Sequence, residues 1–413
     1  MQVFMPAESR ISLLKRTLWL CGAFLLMFAS FWSIRTALAD FFYRQNTISS
    51  LGRAVALAGG DAEYHALYAE HLEGTGADPD PQFLLAASLS PLDARYWIRL
   101  GFSAEAKGNY SAAERYLLKA ASVNSQFDPP WALMNFYFRR GNSDQFWYWA
   151  DKAIKTSYGD ISAIHRLLWD VSSDPDLVLS HIPRDRAHLN SYLYFLEING
   201  HGNVAGPVAA RLALESNSND VPILQHYCQE AAASRPESAL SVWNSLCARR
   251  LLQGDRIDVQ NATIIGDPSF RMFRDGEGFG WHFQNVEGLV TTALASGAGV
   301  HVALSGSQPE DFIVAEAVLP PLETGIRYRI QVQAMADPGS ALAGLGWQIL
   351  TIPDARVIAD QAAWTRFSAS PVIEFRAATA APLRLRLQYR RPLGSTRARG
   401  GLTISSVRSG LVP

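Results

Sequence analysis

The chain has 413 residues, of which 48% are apolar and 18% charged, and its formal net charge is -1. This length and apolar content allow two or three domains with their own cores and exclude a disordered tail. The near-neutral charge leaves no basic field to hold a nucleic-acid backbone. Three scattered cysteines, Cys21, Cys228 and Cys247, supply neither a disulfide framework nor the ligand set of a zinc site, and no metal or cofactor is expected.

Arg10, Lys15 and Arg16 precede the uncharged run Thr17 to Ile34, which as a helix matches about 30 Å of hydrocarbon. A basic flank stays in the cytoplasm. The reading is therefore a cytoplasmic N-terminus at 1–16, a single transmembrane signal anchor at 17–39, and everything after it on the far side. Ala37-Leu38-Ala39 before Asp40 also fits a cleavable signal. The long apolar run and the intervening Arg35 favour a retained anchor over cleavage, and the basic flank favours it over a buried core helix.

From 40 to 253 apolar residues recur at helical spacing, and the region repeats. Trp97, Leu100, Gly101, Gly108, Ala113 and Ala120 stand at the spacings of a tetratricopeptide repeat, with a period of about 34 residues. One period earlier come Tyr64, Leu67, Gly76 and Ala87, and one period later Trp131, Met134, Gly141-Asn142 and Ala153. Small residues at the crossings let helix axes approach, and each helix pair needs a neighbour to bury its apolar face. Past Asp160 the pattern degrades into helices interrupted by Pro175 and Pro183, then helices near 204–216, 221–233 and 236–251. If the last two form a hairpin turning near Arg235, Cys228 lies opposite roughly residue 242. Cys247 is then offset too far for an unstrained disulfide, so both thiols are expected to be unpaired.

At 254–413 the period changes to two. Tyr328, Ile330 and Val332 alternate with Arg327, Arg329 and Gln331, and Leu383, Leu385, Leu387 and Tyr389 alternate with Arg384, Arg386, Gln388 and Arg390. Further strands are expected at 300–305, 312–319, 346–352, 372–376 and 402–407, separated by turn residues. Many short strands imply an all-β antiparallel sandwich, with a closed barrel as the alternative. The fold class is thus multidomain: a transmembrane helix, an all-α tetratricopeptide-like solenoid, and a jelly-roll-like sandwich.

No catalytic motif is present: the sequence holds no HExxH, GxSxG, Walker loop or CxxC, and a non-catalytic protein is expected. Gly276-Glu277-Gly278-Phe279-Gly280 reads as a turn, because it precedes a strand rather than opening a helix. Asp275 and Glu277 there read as a solvated acidic turn in preference to a calcium site. In the sandwich Trp281, Trp347, Trp364 and Tyr389 are the rings that could stack on a sugar. Trp281 and Tyr389 fit a core, and Trp364, Trp347 and Arg366 are the glycan-binding candidates, with a core position as the favoured reading for Trp347. The arginines of the two alternating strands would form one basic face if those strands are neighbours in a sheet, and are ordinary wet-face residues otherwise. In the repeats Tyr96, Tyr137 and Tyr148 are candidates for lining a protein-docking groove, with packing between helices as the alternative. Paired carboxylates of a glycosidase have nothing in the sequence to recommend them.

Asp267-Pro268-Ser269-Phe270, Gly280-Trp281-His282-Phe283, Val300 to Leu304 and Leu319-Pro320-Pro321 with Tyr328-Arg329-Ile330 resemble jelly-roll domains of the carbohydrate-binding-module type. With the repeats and single anchor upstream, the whole chain resembles the tetratricopeptide-repeat proteins that accompany bacterial exopolysaccharide or O-antigen polymerisation. The resemblance implies a single-pass inner-membrane protein with its bulk in the periplasm. Its partners would be proteins of a polysaccharide polymerisation or export assembly, with polysaccharide as an additional ligand. The alternative is a membrane-tethered carbohydrate-binding module with no assembly role.

Overall fold

The computed structural model describes residues 7–273, 276–361, 370–378 and 381–412, with side chains from residue 16 onward. Its contacts divide the chain into two units, Met1–Val171 and Ser172–Pro413. The change from helix to strand after 253 therefore does not coincide with the division between units.

In the first unit α1 (Ala7–Arg44), α2 (Ile48–Leu57), α3 (Ala62–Gly74), α4 (Asp80–Leu89), α5 (Ala94–Ala106), α6 (Tyr110–Val123), α7 (Asp128–Arg140), α8 (Ser143–Thr156) and α9 (Ser162–Val171) follow one another. Helix α1 is long and apolar enough to cross a membrane, and the side chains of its apolar stretch are not covered by protein. Its far end behaves differently. Ala39 is fully buried where the last turns of α1 pack on α2, so Ala37-Leu38-Ala39 lies inside a packed helix.

The pairs α3–α4, α5–α6 and α7–α8 fall where the repeat spacing places them. Asp61 and Asp93 start α3 and α5 by accepting the backbone N–H of Glu63 and Arg95 at 2.9 and 3.0 Å. Asn109 and Asn142 do the same for α6 and α8. These caps satisfy donors that a helix start leaves orphaned. Between the pairs, Ala66, Ala69, Ala86, Ala87, Tyr96 and Leu100 form one buried cluster, with Trp97 and Tyr116 packed against it. Of the alanines read from the sequence, Ala87 belongs to this cluster, and Ala113, Ala120 and Ala153 are likewise fully buried.

The second unit begins with α10 (Pro175–His181), α11 (Arg186–Ile198), a 3-10 turn at Gly202–Val204, α12 (Gly206–Glu215), α13 (Val221–Ser234) and α14 (Pro236–Ala248). Pro175 opens α10 rather than interrupting a helix: it sits in the first turn, where it has no N–H to lose, after the cap Asp174. The sandwich follows with β1 (Trp281–Phe283), β2 (Leu289–Ala293), β3 (Val300–Leu304), β4 (Asp311–Leu319), β5 (Arg327–Ala336), β6 (Leu345–Thr351), β7 (Val357–Asp360), β8 (Val372–Arg376), β9 (Leu383–Arg390) and β10 (Gly400–Leu411). Two five-stranded antiparallel sheets result, ordered β1-β4-β9-β6-β7 and β2-β3-β10-β5-β8. The arrangement is the sandwich and not the barrel. Trp281, Val302, Leu319, Tyr328, Ile330, Trp347, Leu385 and Leu387 share the core between the sheets.

Cys228 and Cys247 are both buried and unpaired. The hairpin is tighter than the sequence suggests, which lengthens the offset between the two thiols. The Cys228 thiol lies 3.4 Å from the Ala239 carbonyl, so Cys247 is eight positions further on, about 12 Å along the helix. Burial pushes both thiols up, Cys247 to about 12. Ellman's reagent is expected to leave both unreacted in the folded protein and to modify both after denaturation. A mass that rises by two protons on reduction would show the register to be wrong.

Candidate functional site

The site best defined by geometry is the groove that α3, α5 and α7 line in the first unit. Glu63, Leu67 and Glu70 stand on one face of α3, Arg95, Ile98, Arg99 and Phe102 on one face of α5, and Asp128, Trp131 and Ala132 at the start of α7. The spacing of three, four and seven residues puts each set in a single row along its helix. Together they enclose about 380 Å³.

The rows are joined by ion pairs between successive repeats. Arg95 reaches Glu63 at 3.1 Å and its neighbour Asp93 at 2.8 Å, and Arg99 reaches Glu70 at 2.6 Å. Hydrogen bonds from Arg95 hold the Asp93 carboxyl below its ordinary value, and they hold the Arg95 guanidinium above its own. Arg139 and Glu105 repeat the arrangement one unit further along, at 2.8 Å. Every one of these pairs includes an exposed partner, so each is worth about 0–1 kcal/mol of stability. Their significance is that they are exchangeable. A ligand bearing its own charges can displace the pairs at little cost while covering Leu67, Phe102 and Trp131.

The three tyrosine candidates separate. Tyr96 borders this groove but is only 4% exposed, and its hydroxyl donates to Glu63 at 3.0 Å. Burial, then Glu63, pushes it up to about 12. Its role is to hold the Glu63 carboxylate in place rather than to offer a ring. Tyr137 is equally buried, donates to Glu114 at 2.6 Å, and lies beside the α7–α8 turn instead of in the groove. Tyr148 is 51% exposed on α8, with the Lys152 ammonium 4.4 Å from its ring centre. The structure therefore does not bring the three together.

In the sandwich Trp347 is a core residue, 2% exposed and edge-on to Trp281 at 5.9 Å, with no free face for a sugar. Tyr389 is fully buried, its hydroxyl accepting the Ala398 N–H at 3.0 Å. Trp364, Arg366 and Asp275 lie outside the described residues. The common basic face is not built, because β5 and β9 belong to different sheets. Cross-strand carboxylates neutralise the arginines instead: Arg329 meets Glu374, Arg384 and Arg386 share Glu316, and Arg390 meets Asp311. The glycine-rich turn is structural, since the Gly278 N–H donates to Gln229 of α13 at 3.0 Å. Among the described residues, no group of three potential metal ligands gathers.

No protein-family model matches the chain, and no curated protein sequence does either. Among solved structures, one described as a functional characterisation of Pseudomonas aeruginosa PilF shares 13% identity, covering 54% of this chain and 93% of that one, at a TM-score of 0.27. A human IFIT1 dimer with m7Gppp-AAAA shares 15%, covering 51% of this chain and 55% of that one, also at 0.27. This chain thus spans about half the length of the second. The helical repeats are defined by this chain's own helix pairs and caps.

Proposed function

We propose that the protein is a non-catalytic, membrane-anchored scaffold that docks a protein partner in the groove of α3, α5 and α7. The assembly it serves would build or export a bacterial surface polysaccharide, with the repeats and the sandwich on the periplasmic side. The observation that carries the docking role is the groove itself: apolar side chains framed by exchangeable ion pairs, at successive repeats, where stacked helices make an extended surface suited to another chain. The polysaccharide role is supported by the order of anchor, repeats and sandwich.

The test is genetic and uses the full chain. Deletion should reduce surface polysaccharide, wild type should restore it, and the double substitution Phe102→Asp, Arg99→Glu should not, while reaching the membrane in normal amount. Phe102 is 40% exposed and Arg99 sits in an exposed pair, so the change strikes the docking surface directly, and the normal amount at the membrane checks that the fold survives it. Normal polysaccharide in the deletion strain would end the assembly reading, and full rescue by the double variant would end the groove's part in it.

A further inference from the structure

The direction of α1 fixes which edge of the repeat stack faces a membrane. The apolar run Thr17 to Ile34 is about 27 Å long as a helix, which places Arg35 where hydrocarbon gives way to headgroups. Arg35 lies over the Trp32 ring at 4.9 Å, a pairing suited to that depth. From there α1 continues nine residues outward to Arg44, and α2 returns over ten residues, Ile48–Leu57. It comes back to the same level: the Arg35 guanidinium donates to the Leu57 carbonyl.

The alternation continues. Odd-numbered helices run outward and even-numbered helices run back, so the turns after α2, α4, α6 and α8 lie along one edge. Two contacts bear this out. Ser90 and Asp93, flanking the α4–α5 turn, line one cleft with Trp32, Arg35 and Thr36. Phe127 at the α6–α7 turn meets Tyr158, just past α8, at 5.7 Å between rings.

Among the described residues of the first unit outside α1, the two most exposed large apolar side chains are Leu92, at 78%, and Tyr158, at 76%. Both lie on this edge, one in the α4–α5 turn and the other just after α8. We infer that this edge of the repeats rests on the lipid surface, with Leu92 and Tyr158 dipping into the headgroup layer beside the anchor. The inference rests on the reading of α1 as a membrane span. The attraction is insertion rather than charge, because Asp61, Asp93 and Asp160 share the edge with Arg35, Arg95 and Lys155. The contact should therefore be indifferent to the anionic lipid content of the bilayer. A stack held down in this way presents its groove at a fixed height above the membrane, which suits a membrane-embedded partner.

The experiment uses the full chain in phosphatidylcholine vesicles, in a Cys21→Ala background, with an environment-sensitive fluorophore at one introduced cysteine. The positions are Leu92→Cys and Tyr158→Cys on the edge, Ala77→Cys in the opposite α3–α4 turn, and Ser30→Cys in the span. Headgroup-spin-labelled lipid is expected to quench labels at 92 and 158 and not at 77, and acyl-chain-labelled lipid to quench the label at 30. Quenching at 30 with 92 and 158 behaving as 77 leaves the anchor standing and overturns the inference alone. No quenching at 30 overturns both.

Discussion

Replacing Trp243 by alanine is expected to destabilise the second unit by about 3–5 kcal/mol, the range of large aromatic truncations in a core. Trp243 is fully buried on α14. Its indole N–H donates to the Asp255 carbonyl at 3.1 Å and its ring meets Phe279 edge-on at 5.8 Å. The socket is made of glycines. A Cβ at Gly254 or Gly266 would come within 2.8 or 2.9 Å of its Cζ2, and one at Gly278 within 3.2 Å of its Cζ3. Beside it Asn244 pairs with both the N–H and the carbonyl of Ile257, at 2.8 and 2.9 Å, as a neighbouring strand would. These contacts join the α13–α14 hairpin to the start of the sandwich without a flexible linker. Alanine would leave an indole-sized void lined by rigid backbone, which cannot collapse. Trp243→Phe keeps most of the apolar area and loses the hydrogen bond, so an intermediate effect is expected. Hydrogen exchange across α14 and β1 measures both. A loss below about 1 kcal/mol for alanine would place the residue among ordinary surface positions and remove the argument for a joined unit.

The same residues show what a sequence reveals and what it hides. The alternation Leu383, Leu385, Leu387, Tyr389 marks a strand because a two-sided sheet imprints its period locally, and those four side chains are all in the core. The repeat was legible for a similar reason, since Trp97, Gly108 and Ala120 recur as Tyr64, Gly76 and Ala87 one period earlier and as Trp131, Gly141 and Ala153 one period later. Strands β2 and β7 escaped because neither buries a full face: Leu289 is the one buried residue of β2, and β7 has none. The Trp243 socket was invisible, because Gly254, Gly266 and Gly278 come from separate turns and converge only in three dimensions. So was the neutralisation of Arg384 and Arg386 by Glu316, which depends on β4 pairing with β9. The groove is a different case. Glu63 with Arg95 and Glu105 with Arg139 are separated by close to one repeat, at 32 and 34 residues, whereas Glu70 and Arg99 are 29 apart. The charges of the first two pairs are therefore legible once the repeats are aligned, and the third depends on the fold.

The close approach of α5 and α6 sets the spacing on which that groove depends, and it yields a prediction whose sign changes with context. A Cβ at Gly101 would lie 2.7 Å from both Cγ and Cδ2 of Leu117. Leu117 is fully buried, and the nearer atoms include its branch point rather than a free end, so it cannot swing aside. Gly101→Ala is therefore expected to destabilise the first unit by about 1–3 kcal/mol, the range for overpacking. It does so even though alanine is the better helix former by about 1 kcal/mol. Leu117→Ala alone should cost about 2–5 kcal/mol through the cavity it leaves. In that background the clash is gone, the new methyl enters vacated space, and the propensity gain is no longer opposed. Gly101→Ala should then stabilise by about 0.5–1 kcal/mol, a coupling that only residues in direct contact produce. Denaturant unfolding of the four proteins, followed by exchange protection in α5 and α6, reads the cycle. If Gly101→Ala has the same effect in both backgrounds, the glycine is not where the two helices touch. The positions of Arg95 and Arg99 relative to Glu63 and Glu70 would then have to be set by some other contact.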